Sequence, residues 1–486
     1  MQPLATLLQI YRQDPQPIYL QLAAQLIDLI RKGILRPDYR LPSTRALASG
    51  LTIHRKTVIQ AYDELIAQGW LQTQVGSGTF VSQHLPELSP RPLVSADVFN
   101  PAKQAGFPFH PTPHLDRQPL KAQARYHLDD GFPDARLAPV QELSRAYRSQ
   151  LLASNPYIRL GYNDPSGSRW LREELAIYLN ATRGLRAEPE NILIVRGTMM
   201  GVYLASTALL QPGDEVAVEE YTWSGARMNF LQAGARVTPV PVDAYGIDVD
   251  ALEQICQQRP LRMLYLTSHH QYPTTVPLRA DRRMRLLALA QAYKFIVFED
   301  DYDYDFHYES KPLFPLASAD LGGMVLYSGS FTKTISPAFR VGYLVGPENV
   351  IQHLAKLRRI VDRQGDTLLE NAMAELLHMG VIQRHIRKSL RMYRHRRDLF
   401  CDYLQTELGH VVDFRKPEGG MSVWTTFDSG INLVRLAEKA LQKDLYLSNG
   451  TAHESVFRKE NVARLGFASS TEEELVCCVK ILKSLL

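Results

Sequence analysis

The sequence predicts a small α+β domain at the N-terminus, joined by a proline-rich linker to a large α/β domain. Residues 17–82 show three short helical patterns followed by two short strand patterns around a glycine-containing turn. Residues 82–125 contain eight prolines, and from residue 129 onward long helical patterns alternate with short apolar strands. With 486 residues, of which 45% are hydrophobic and 22% charged, the chain has the composition of a folded protein of two or more domains.

The three N-terminal helices are predicted from apolar spacing and from residues that start and stop helices. A first helix is expected over about residues 17–32, because leucines recur at helical spacing on one face and Gly33 follows. Ser43 is a suitable N-cap for a second helix. A third helix follows a short break at about residues 50–53 and ends at Gly69.

The two strands after these helices complete a winged helix-turn-helix pattern. Residues 70–74 and 79–82 flank Gly76-Ser77-Gly78, which predicts a tight β-hairpin. Residues 1–82 also hold eight lysines and arginines against five acidic residues, whereas the net charge of the whole chain is only +4. This local excess of positive charge predicts a polyanion as the partner of the N-terminal domain.

Residues 17–82 resemble the DNA-binding domain of the GntR family. The resemblance rests on the following motifs: Leu41-Pro42-Ser43-Thr44-Arg45, Leu47-Ala48, Arg55, Thr57-Val58, Ala61-Tyr62, Leu65, Gly69 and Gly76-Ser77-Gly78-Thr79-Phe80-Val81. It implies a double-stranded DNA operator as partner. The residues implied to contact DNA are Arg45 and Arg55 at the groove, Thr44 and Thr57 on phosphates, Gly76 and Gly78 in the wing beside the minor groove, and Lys56.

One residue departs from the GntR pattern. His54 stands where the family usually has a serine N-cap, which leaves open how the recognition helix begins and which bases it prefers. The alternative function for this domain is protein binding by a winged helix, which the arginines on the second and third helices disfavour.

The prolines of the middle segment exclude regular helix and favour an extended, semi-rigid backbone. We therefore predict a DNA-binding domain at 1–82, a linker at 83–126 and an effector domain at 127–486. No stretch approaches the roughly 20 consecutive apolar residues of a membrane span, and the N-terminus lacks a signal-peptide pattern, which predicts a cytoplasmic protein without a membrane partner. The four cysteines lack metal-type spacing and are expected to be buried thiols.

Five short apolar runs in the large domain predict the strands of a sheet covered by helices. They are residues 191–195, 215–218, 263–266, 295–299 and 324–328. In such sheets, ligands bind at the carboxyl ends of the strands. The residues that directly follow each strand are therefore the candidate site residues.

Several of these residues suit an anionic, heteroaromatic ligand. Gly197 and Thr198 lead from a strand into a helix, whose free N–H groups and positive dipole end favour an anion. Trp223 is able to stack on a ring, and a core tryptophan is the equal alternative. Asp300, after the strand at 295–299, is able to pair with a pyridinium nitrogen, and Tyr302 with a ring hydroxyl.

Metal binding is not predicted from these motifs. The acidic run that begins at Asp300 lacks the spacing of a calcium loop. His269 and His270 are adjacent, and in an extended chain their rings would point to opposite sides. We therefore predict no metal site.

Lys333 and Arg340 lie seven positions apart in the segment 327–343. A lysine amine beside small hydroxyl residues such as Ser330, with a guanidinium nearby, suits an aldehyde cofactor that carries a phosphate. The lysine would form a Schiff base and the arginine would bind the phosphate. For a lysine taken alone, a solvated surface position is the ordinary interpretation.

Together these motifs follow the order found in fold-type I pyridoxal phosphate enzymes, and residues 127–486 resemble that aminotransferase-like fold. The resemblance implies pyridoxal 5′-phosphate (PLP) as cofactor and catalytic roles for Lys333, for Asp300 and, on a substrate carboxylate, for Arg464. The cofactor-binding residues that it implies are Tyr162, Gly197, Thr198, Trp223, Asp300, Tyr302, Ser330, Lys333 and Arg340. Related aminotransferases use the tyrosine at the position of Tyr162 to reach the neighbouring subunit's phosphate, which implies a homodimer.

The segments 270–274 and 299–303 depart from the aminotransferase pattern and match the variants typical of MocR-type regulators. In that subfamily a GntR domain, a proline-rich linker and an aminotransferase-like domain follow one another. The resemblance predicts a transcription regulator that carries PLP on Lys333. Its effector domain would sense either PLP itself or an amine or amino acid effector. The alternatives are a working aminotransferase that carries a DNA-binding domain, and a scaffold that has lost the cofactor.

Overall fold

The structure is a computed structural model that describes residues 4–12, 14, 16–74, 76–86, 103–115, 124–153, 155, 160–309, 313–453 and 455–486. The chain forms two compact units, residues 1–110 and 111–486. Most of the predicted linker at 83–126 lies outside the described residues. No helix in the described part of the chain combines the length and the apolar composition that a membrane crossing requires.

The N-terminal unit contains the predicted helices and hairpin. These elements are α1 (Ile18–Arg31), α2 (Thr44–Leu51), α3 (Arg55–Ala67), β1 (Leu71–Gln74) and β2 (Gly78–Val81). Ser43 caps α2 as predicted, because its hydroxyl accepts a hydrogen bond from the Ala46 amide at 3.2 Å. The hairpin strands pair antiparallel, and the turn between them uses positive φ angles at Gly76 and Gly78.

Apolar faces of the three helices form the core of this unit. Leu22, Leu26 and Leu65 have no measurable exposed surface. The sequence pattern missed a short 3-10 helix, Leu4–Leu7, whose Leu4 is buried in the same core. This unit therefore begins before the first predicted helix.

The large unit alternates helices and strands. Its helices are α4 (Val140–Leu152), α5 (Arg169–Arg183), α6 (Thr198–Leu209), α7 (Ser224–Gln232), α8 (Val249–Gln258), α9 (Ala280–Tyr293), α10 (Leu316–Ala319), α11 (Phe331–Thr334), α12 (Glu348–Val361), α13 (Thr367–His378), α14 (Val381–Leu408), α15 (Leu433–Gln442) and α16 (Glu472–Lys483). Its strands are β3 (Tyr126–Leu128), β4 (Ile192–Val195), β5 (Glu215–Glu219), β6 (Arg236–Val240), β7 (Val242–Asp243), β8 (Gly246–Ile247), β9 (Leu261–Leu266), β10 (Ile296–Asp301), β11 (Val325–Ser330), β12 (Gly342–Val345), β13 (Val412–Phe414), β14 (Ser422–Phe427), β15 (Leu445–Leu447) and β16 (Val462–Gly466).

Seven of these strands form the central sheet, in the order β4-β12-β11-β10-β9-β5-β6. Strand β12 runs antiparallel to both of its neighbours, and the other neighbouring pairs are parallel. The carboxyl ends of β4, β5, β9, β10 and β11 therefore meet at one edge, as the sequence predicts. Buried apolar side chains cover both faces of the sheet.

The strand β10 is longer than predicted. Asp300 and Asp301 continue the parallel pairing with β11, opposite Ser328 and Gly329, so Asp300 lies inside the strand and not after it. Strand pairing here overrides the low β propensity of aspartate. The backbone of Asp300 is consequently held by the hydrogen bonds of the sheet, so its carboxylate projects from a rigid element.

The C-terminal part of the large unit has a separate antiparallel sheet, β13-β14-β16, packed with α14 and α16 around a second core. Strand β16 carries Arg464, and strand β3 leads into the segment 129–134. Cys256, Cys401 and Cys478 are buried thiols, as predicted, and Cys477 is half-buried.

Candidate functional site

Lys333 lies in α11, directly after the carboxyl end of β11. Its ammonium group donates a hydrogen bond to the carbonyl of Gly131 at 2.7 Å and lies 4.3 Å from the ring centroid of Phe132. Burial lowers the pKa of the Lys333 amine, and the nearby Arg464 lowers it further, whereas Asp130 and Asp129 oppose the shift. The neutral amine, which is the nucleophilic form, is therefore easier to reach than in a solvated lysine.

Asp300 faces the same region from β10. Its Oδ2 atom accepts a hydrogen bond from the hydroxyl of Tyr265 at 2.7 Å, whereas Oδ1 is buried and has no hydrogen-bond partner among the described residues. Burial raises the pKa of Asp300 to about 7, and Asp303 adds to the increase. Tyr265, Thr198 and Lys333 act in the opposite direction. A cationic donor placed against Oδ1 would satisfy this oxygen and restore its charge.

Gly197 and Arg340 meet at the start of α6. Gly197 has a φ of 75°, and a Cβ atom there would lie 2.9 Å from Nη2 of Arg340, so only glycine fits. The same Nη2 atom donates to the carbonyl of Arg196 at 2.7 Å. Thr198 is the first residue of α6, so a guanidinium, a hydroxyl and free helix N–H groups lie together. This combination favours a phosphate group.

Arg464 is buried beside this region and already has an acidic partner. Its side chain is 1% exposed, and its Nε lies 3.2 Å from Oδ1 of Asp130. Its Nη1 donates to the carbonyl of Pro273 at 2.9 Å. The other Asp130 oxygen, Oδ2, accepts from the hydroxyl of Tyr272 at 2.9 Å. The arginine predicted to bind a substrate carboxylate is thus paired with a carboxylate of its own chain.

The other predicted cofactor residues lie at varying places around this centre. The hydroxyl of Tyr302 donates to the carbonyl of His270 at 3.2 Å and accepts from Arg464 at 3.4 Å. The hydroxyl of Ser330 accepts from the amide of Thr332 at 3.1 Å at the start of α11. Trp223, which precedes α7, packs over Gly225.

Tyr162 is not brought to Lys333 within one chain. It is 80% exposed, and the guanidinium of Arg363 lies 4.4 Å from its ring centroid. An exposed aromatic residue in this position is free to contact another chain, which is the role that the sequence resemblance implies for it.

The predicted DNA-contacting residues lie at the exposed starts of α2 and α3 and in the hairpin turn. Arg45, Arg55 and Lys56 are exposed, and Nε of Arg55 donates to the hydroxyl of Thr44 at 3.3 Å. The departure at His54 has a structural explanation, because its Nδ1 accepts from the Lys56 amide at 3.2 Å and so caps α3. Thr57 is half-buried, and Gly76 and Gly78 are exposed.

The residues around Lys333 fit PLP. The unpartnered Asp300 Oδ1 suits a protonated pyridine nitrogen, the glycine turn beside Arg340 suits a phosphate, and the amine of Lys333 suits an aldehyde. Each of these features suits a different part of the cofactor, and they lie at or next to the ends of different strands at one edge of the sheet.

Comparison with known families matches both parts of the chain. The family "Bacterial regulatory proteins, gntR family" matches residues 18–81, and the family "Aminotransferase class I and II" matches residues 132–481. The transcriptional regulator TauR of Rhodobacter capsulatus is 31% identical over 465 residues, which cover 92% of each chain. The chain belongs to the MocR-type regulators of the GntR family.

Two further comparisons agree with this family. The probable rhizopine catabolism regulatory protein MocR of Rhizobium meliloti is 29% identical over 428 residues, which cover 86% of this chain and 83% of the relative. A kynurenine aminotransferase of Pyrococcus horikoshii has a similar structure, with a TM-score of 0.71 and 26% identity over 78% of this chain and 96% of that chain. The large unit of this MocR-type regulator therefore has the aminotransferase class I and II fold, whose members bind PLP.

Sequence reasoning missed the segment that contacts Lys333 and Arg464 in this MocR-type regulator. Gly131 and Asp130 follow the short strand β3, some two hundred positions before Lys333. The pair Asp129-Asp130 before Gly131 was a visible acidic motif, but no local pattern indicates its partner.

The histidines at 269 and 270 require a correction. They were expected to point to opposite sides of an extended chain, but their ring centroids are 4.4 Å apart. The reason is that the strand β9 ends at Leu266, so the alternation of side chains in a strand does not apply to these residues.

Proposed function

We propose that this MocR-type regulator binds an operator through its N-terminal domain and carries PLP on Lys333 as the sensing group of its effector domain. The domains are 1–82 and 127–486, joined by the linker 83–126, in a cytoplasmic homodimer. The observation that carries the proposal is the buried Asp300 oxygen without a partner, close to a lysine whose pKa is lowered by burial. Burying a carboxylate oxygen without a partner costs free energy, unless a ligand donates a hydrogen bond to it.

Each cofactor-facing residue has a separate task in this proposal. Asp300 holds the ring nitrogen and its proton, and Tyr265 fixes the orientation of the carboxylate. Arg340, Gly197 and Thr198 bind the phosphate. When bound to Lys333, PLP supplies an electrophilic carbon that exchanges amines. Trp223, Tyr302, Ser330 and the partner-facing Tyr162 complete the set of proposed cofactor contacts.

The ion pair between Asp130 and Arg464 bears on the effector class. An α-amino acid that used Arg464 for its carboxylate would first have to displace Asp130 from a guanidinium that is 1% exposed. An amine without a carboxylate would leave that pair intact. We therefore propose that the site prefers amines that lack an α-carboxylate, and that Asp130 sets this preference.

Operator binding is proposed to use the exposed residues at the starts of α2 and α3 and in the wing. These residues are Thr44, Arg45, Arg55, Lys56, Thr57, Gly76 and Gly78. Since Arg55 donates to Thr44, the arginine is held at the start of both helices, at the position from which a winged helix enters the major groove.

The proposal is tested by measuring operator affinity with and without PLP. A DNA site is selected from a pool of random duplexes with the full-length protein, and binding is measured at fixed salt. For the wild type we expect PLP to change the dissociation constant by about 5- to 150-fold. In Lys333→Ala the basal affinity should persist and the effect of PLP should disappear. Equal affinities for both proteins in both conditions would contradict sensing through Lys333.

A working aminotransferase is the second candidate, because Lys333, Asp300 and Arg464 occur around one site. The test is release of keto acid from an amino acid panel over many turnovers. Sustained turnover would favour the enzyme, whereas a single spectral change without product would favour the sensor. The Asp130–Arg464 pair argues for the sensor, since it obstructs the carboxylate of ordinary substrates.

A further inference from the structure

Three histidines form a compact cluster beside the candidate PLP site. His269 and His270 follow β9, and His307 follows β10. One nitrogen of each ring lies within 4.8 Å of the corresponding nitrogens of the other two. Nε2 of His270 and Nδ1 of His307 are 3.3 Å apart. Within the described part of the chain, this is the group of three histidine, cysteine, aspartate or glutamate side chains whose ligand atoms are close enough to share one metal ion.

The spacing of the cluster fits a tetrahedral ion. Two nitrogens that each lie 2.0–2.1 Å from a zinc ion in tetrahedral geometry are about 3.3 Å apart. The third ring, His269, is centred 4.4 Å from His270 and 5.6 Å from His307. One nitrogen of His269 lies within 4.8 Å of the ligand nitrogens of the other two rings.

His269 shows a need for a ligand. It is 4% exposed, and neither of its ring nitrogens has a hydrogen-bond partner among the described residues. Imidazole nitrogens are ordinary metal ligands, so a cation placed against this ring would give one of the two nitrogens a partner.

His270 is held in the way that metal-binding histidines usually are. Its Nδ1 lies 2.8 Å from Oδ1 of the buried Asp303, which directs Nε2 toward His307. A Cβ atom at position 419 would overlap that same nitrogen, so a glycine is required where the backbone packs against it. Two arginines lie near His269: Arg183 is paired with Asp305 at 3.1 Å, whereas Arg283 donates to backbone carbonyls. The buried carboxylate of Asp303 is therefore the group that offsets a cation at this cluster.

We propose that His269, His270 and His307 bind one Zn²⁺ ion, with Asp303 orienting His270 and water as the fourth ligand. Imidazole nitrogens in a tetrahedral arrangement suit zinc. The ion would join the segments after β9 and β10. Because His270 also accepts a hydrogen bond from Tyr302 through its carbonyl, zinc would fix the position of Tyr302 near Arg464.

Metal binding is measured on untagged, full-length protein that has been treated with a chelator and dialysed. Zinc is titrated in competition with a chromophoric chelator, and cobalt is used as a spectroscopic substitute. We expect one zinc ion per chain and the visible bands of four-coordinate cobalt. Absence of binding, or a six-coordinate cobalt spectrum, would overturn the proposal.

Variants assign the ligands. His307→Gln, at a half-buried position, should weaken zinc binding at least tenfold, and His269→Gln should do the same. Asp303→Asn should weaken it by about 10- to 100-fold, the range for residues that orient metal ligands. His378→Gln and His395→Gln are controls, because these histidines have side chains that are 64% and 66% exposed.

Thermal unfolding in metal-free buffer shows whether each variant folds. If the buried His269→Gln variant does not fold, His307→Gln alone decides the question. Zinc affinity in His307→Gln equal to that of the wild type would refute the site. Equal weakening in the control variants would likewise refute it, since the binding would then come from surface histidines.

Discussion

Replacing Asp130 with asparagine tests whether this carboxylate controls access to Arg464. The substitution keeps the size of the side chain and its contact with the hydroxyl of Tyr272, but it removes the charge that pairs with the guanidinium. In the variant, Arg464 would be free to pair with the carboxylate of an incoming amino acid. We therefore expect Asp130→Asn to gain affinity for amino acids.

The size of the gain follows from the geometry of the pair. For unit charges 3.2 Å apart, the Coulomb energy is about 5 kcal/mol at an effective dielectric constant of about 20. The side chain of Asp130 is 36% exposed, so solvent screens much of this attraction. We take about 2 kcal/mol as the remaining cost of displacing Asp130, which corresponds to about 30-fold in affinity.

The assay is an absorbance titration of the PLP-loaded protein with two matched ligands. L-alanine and ethylamine differ only by the α-carboxylate. The dissociation constant for L-alanine should fall about 30-fold in Asp130→Asn, and that for ethylamine should change far less. Asp281→Asn is the matched control, because it removes a carboxylate from a surface pair with Arg279.

The comparison of the two ligands separates the possible failures. If both ligands gain affinity equally, Asp130 acts on the amine of Lys333 and not on Arg464, and the reasoning is refuted. If neither ligand changes, the pair does not limit access. If wild-type protein shows no PLP absorbance at all, the proposal that PLP is the cofactor is refuted. That result would not test the role of the ion pair.

Three further outcomes are expected. In cofactor-free protein, burial raises the pKa of Asp300 to about 7 from an ordinary 3.8, so the free energy of unfolding falls as pH rises between these values. The melting temperature of Asp300→Asn should therefore fall less between about pH 5 and pH 8 than that of the wild type. An equal fall in both proteins would contradict the raised pKa of Asp300. Arg55→Ala should reduce the salt dependence of DNA binding by about one phosphate contact, or relax base preference at one position, whereas the exposed Lys32→Ala should do neither. His54→Ala should destabilise the first turn of α3 by about 1 kcal/mol, seen as faster hydrogen exchange at its amides, and His54→Ser should restore protection; unchanged exchange would show that the imidazole is no cap.

Local patterns in the sequence predicted most of the fold and several residues of the candidate site. Lys333 and Arg340 stand in one short segment, so the chemistry of their pairing is visible in sequence. The strands of the central sheet are short, apolar runs, and their order along the chain indicates which ends meet. The roles expected for Asp300 and Arg464 came from the family resemblance and not from a local pattern.

Long-range contacts could not be predicted in the same way. Asp130 reaches Arg464 because the segment after β3 is bonded to β16, where the amide of Gly466 donates to the carbonyl of Asp129 at 2.7 Å, and no local pattern specifies that contact. The extension of β10 through Asp300 depends on its neighbour β11, because aspartate disfavours strands. His54 is outside the usual set of capping residues, so the sequence does not indicate that its ring nitrogen caps α3.

The direction of β12 constrains the length of the connection before it. Because β12 runs opposite to β11, its first residue, Gly342, pairs with the last residue of β11, Ser330. The connection 331–341 thus leaves and re-enters the sheet at one point, and it carries both Lys333 and Arg340. An insertion or deletion there would displace the amine and the guanidinium together, whereas length changes in other surface loops would spare them. Related chains are therefore expected to vary in length elsewhere and to keep this connection constant.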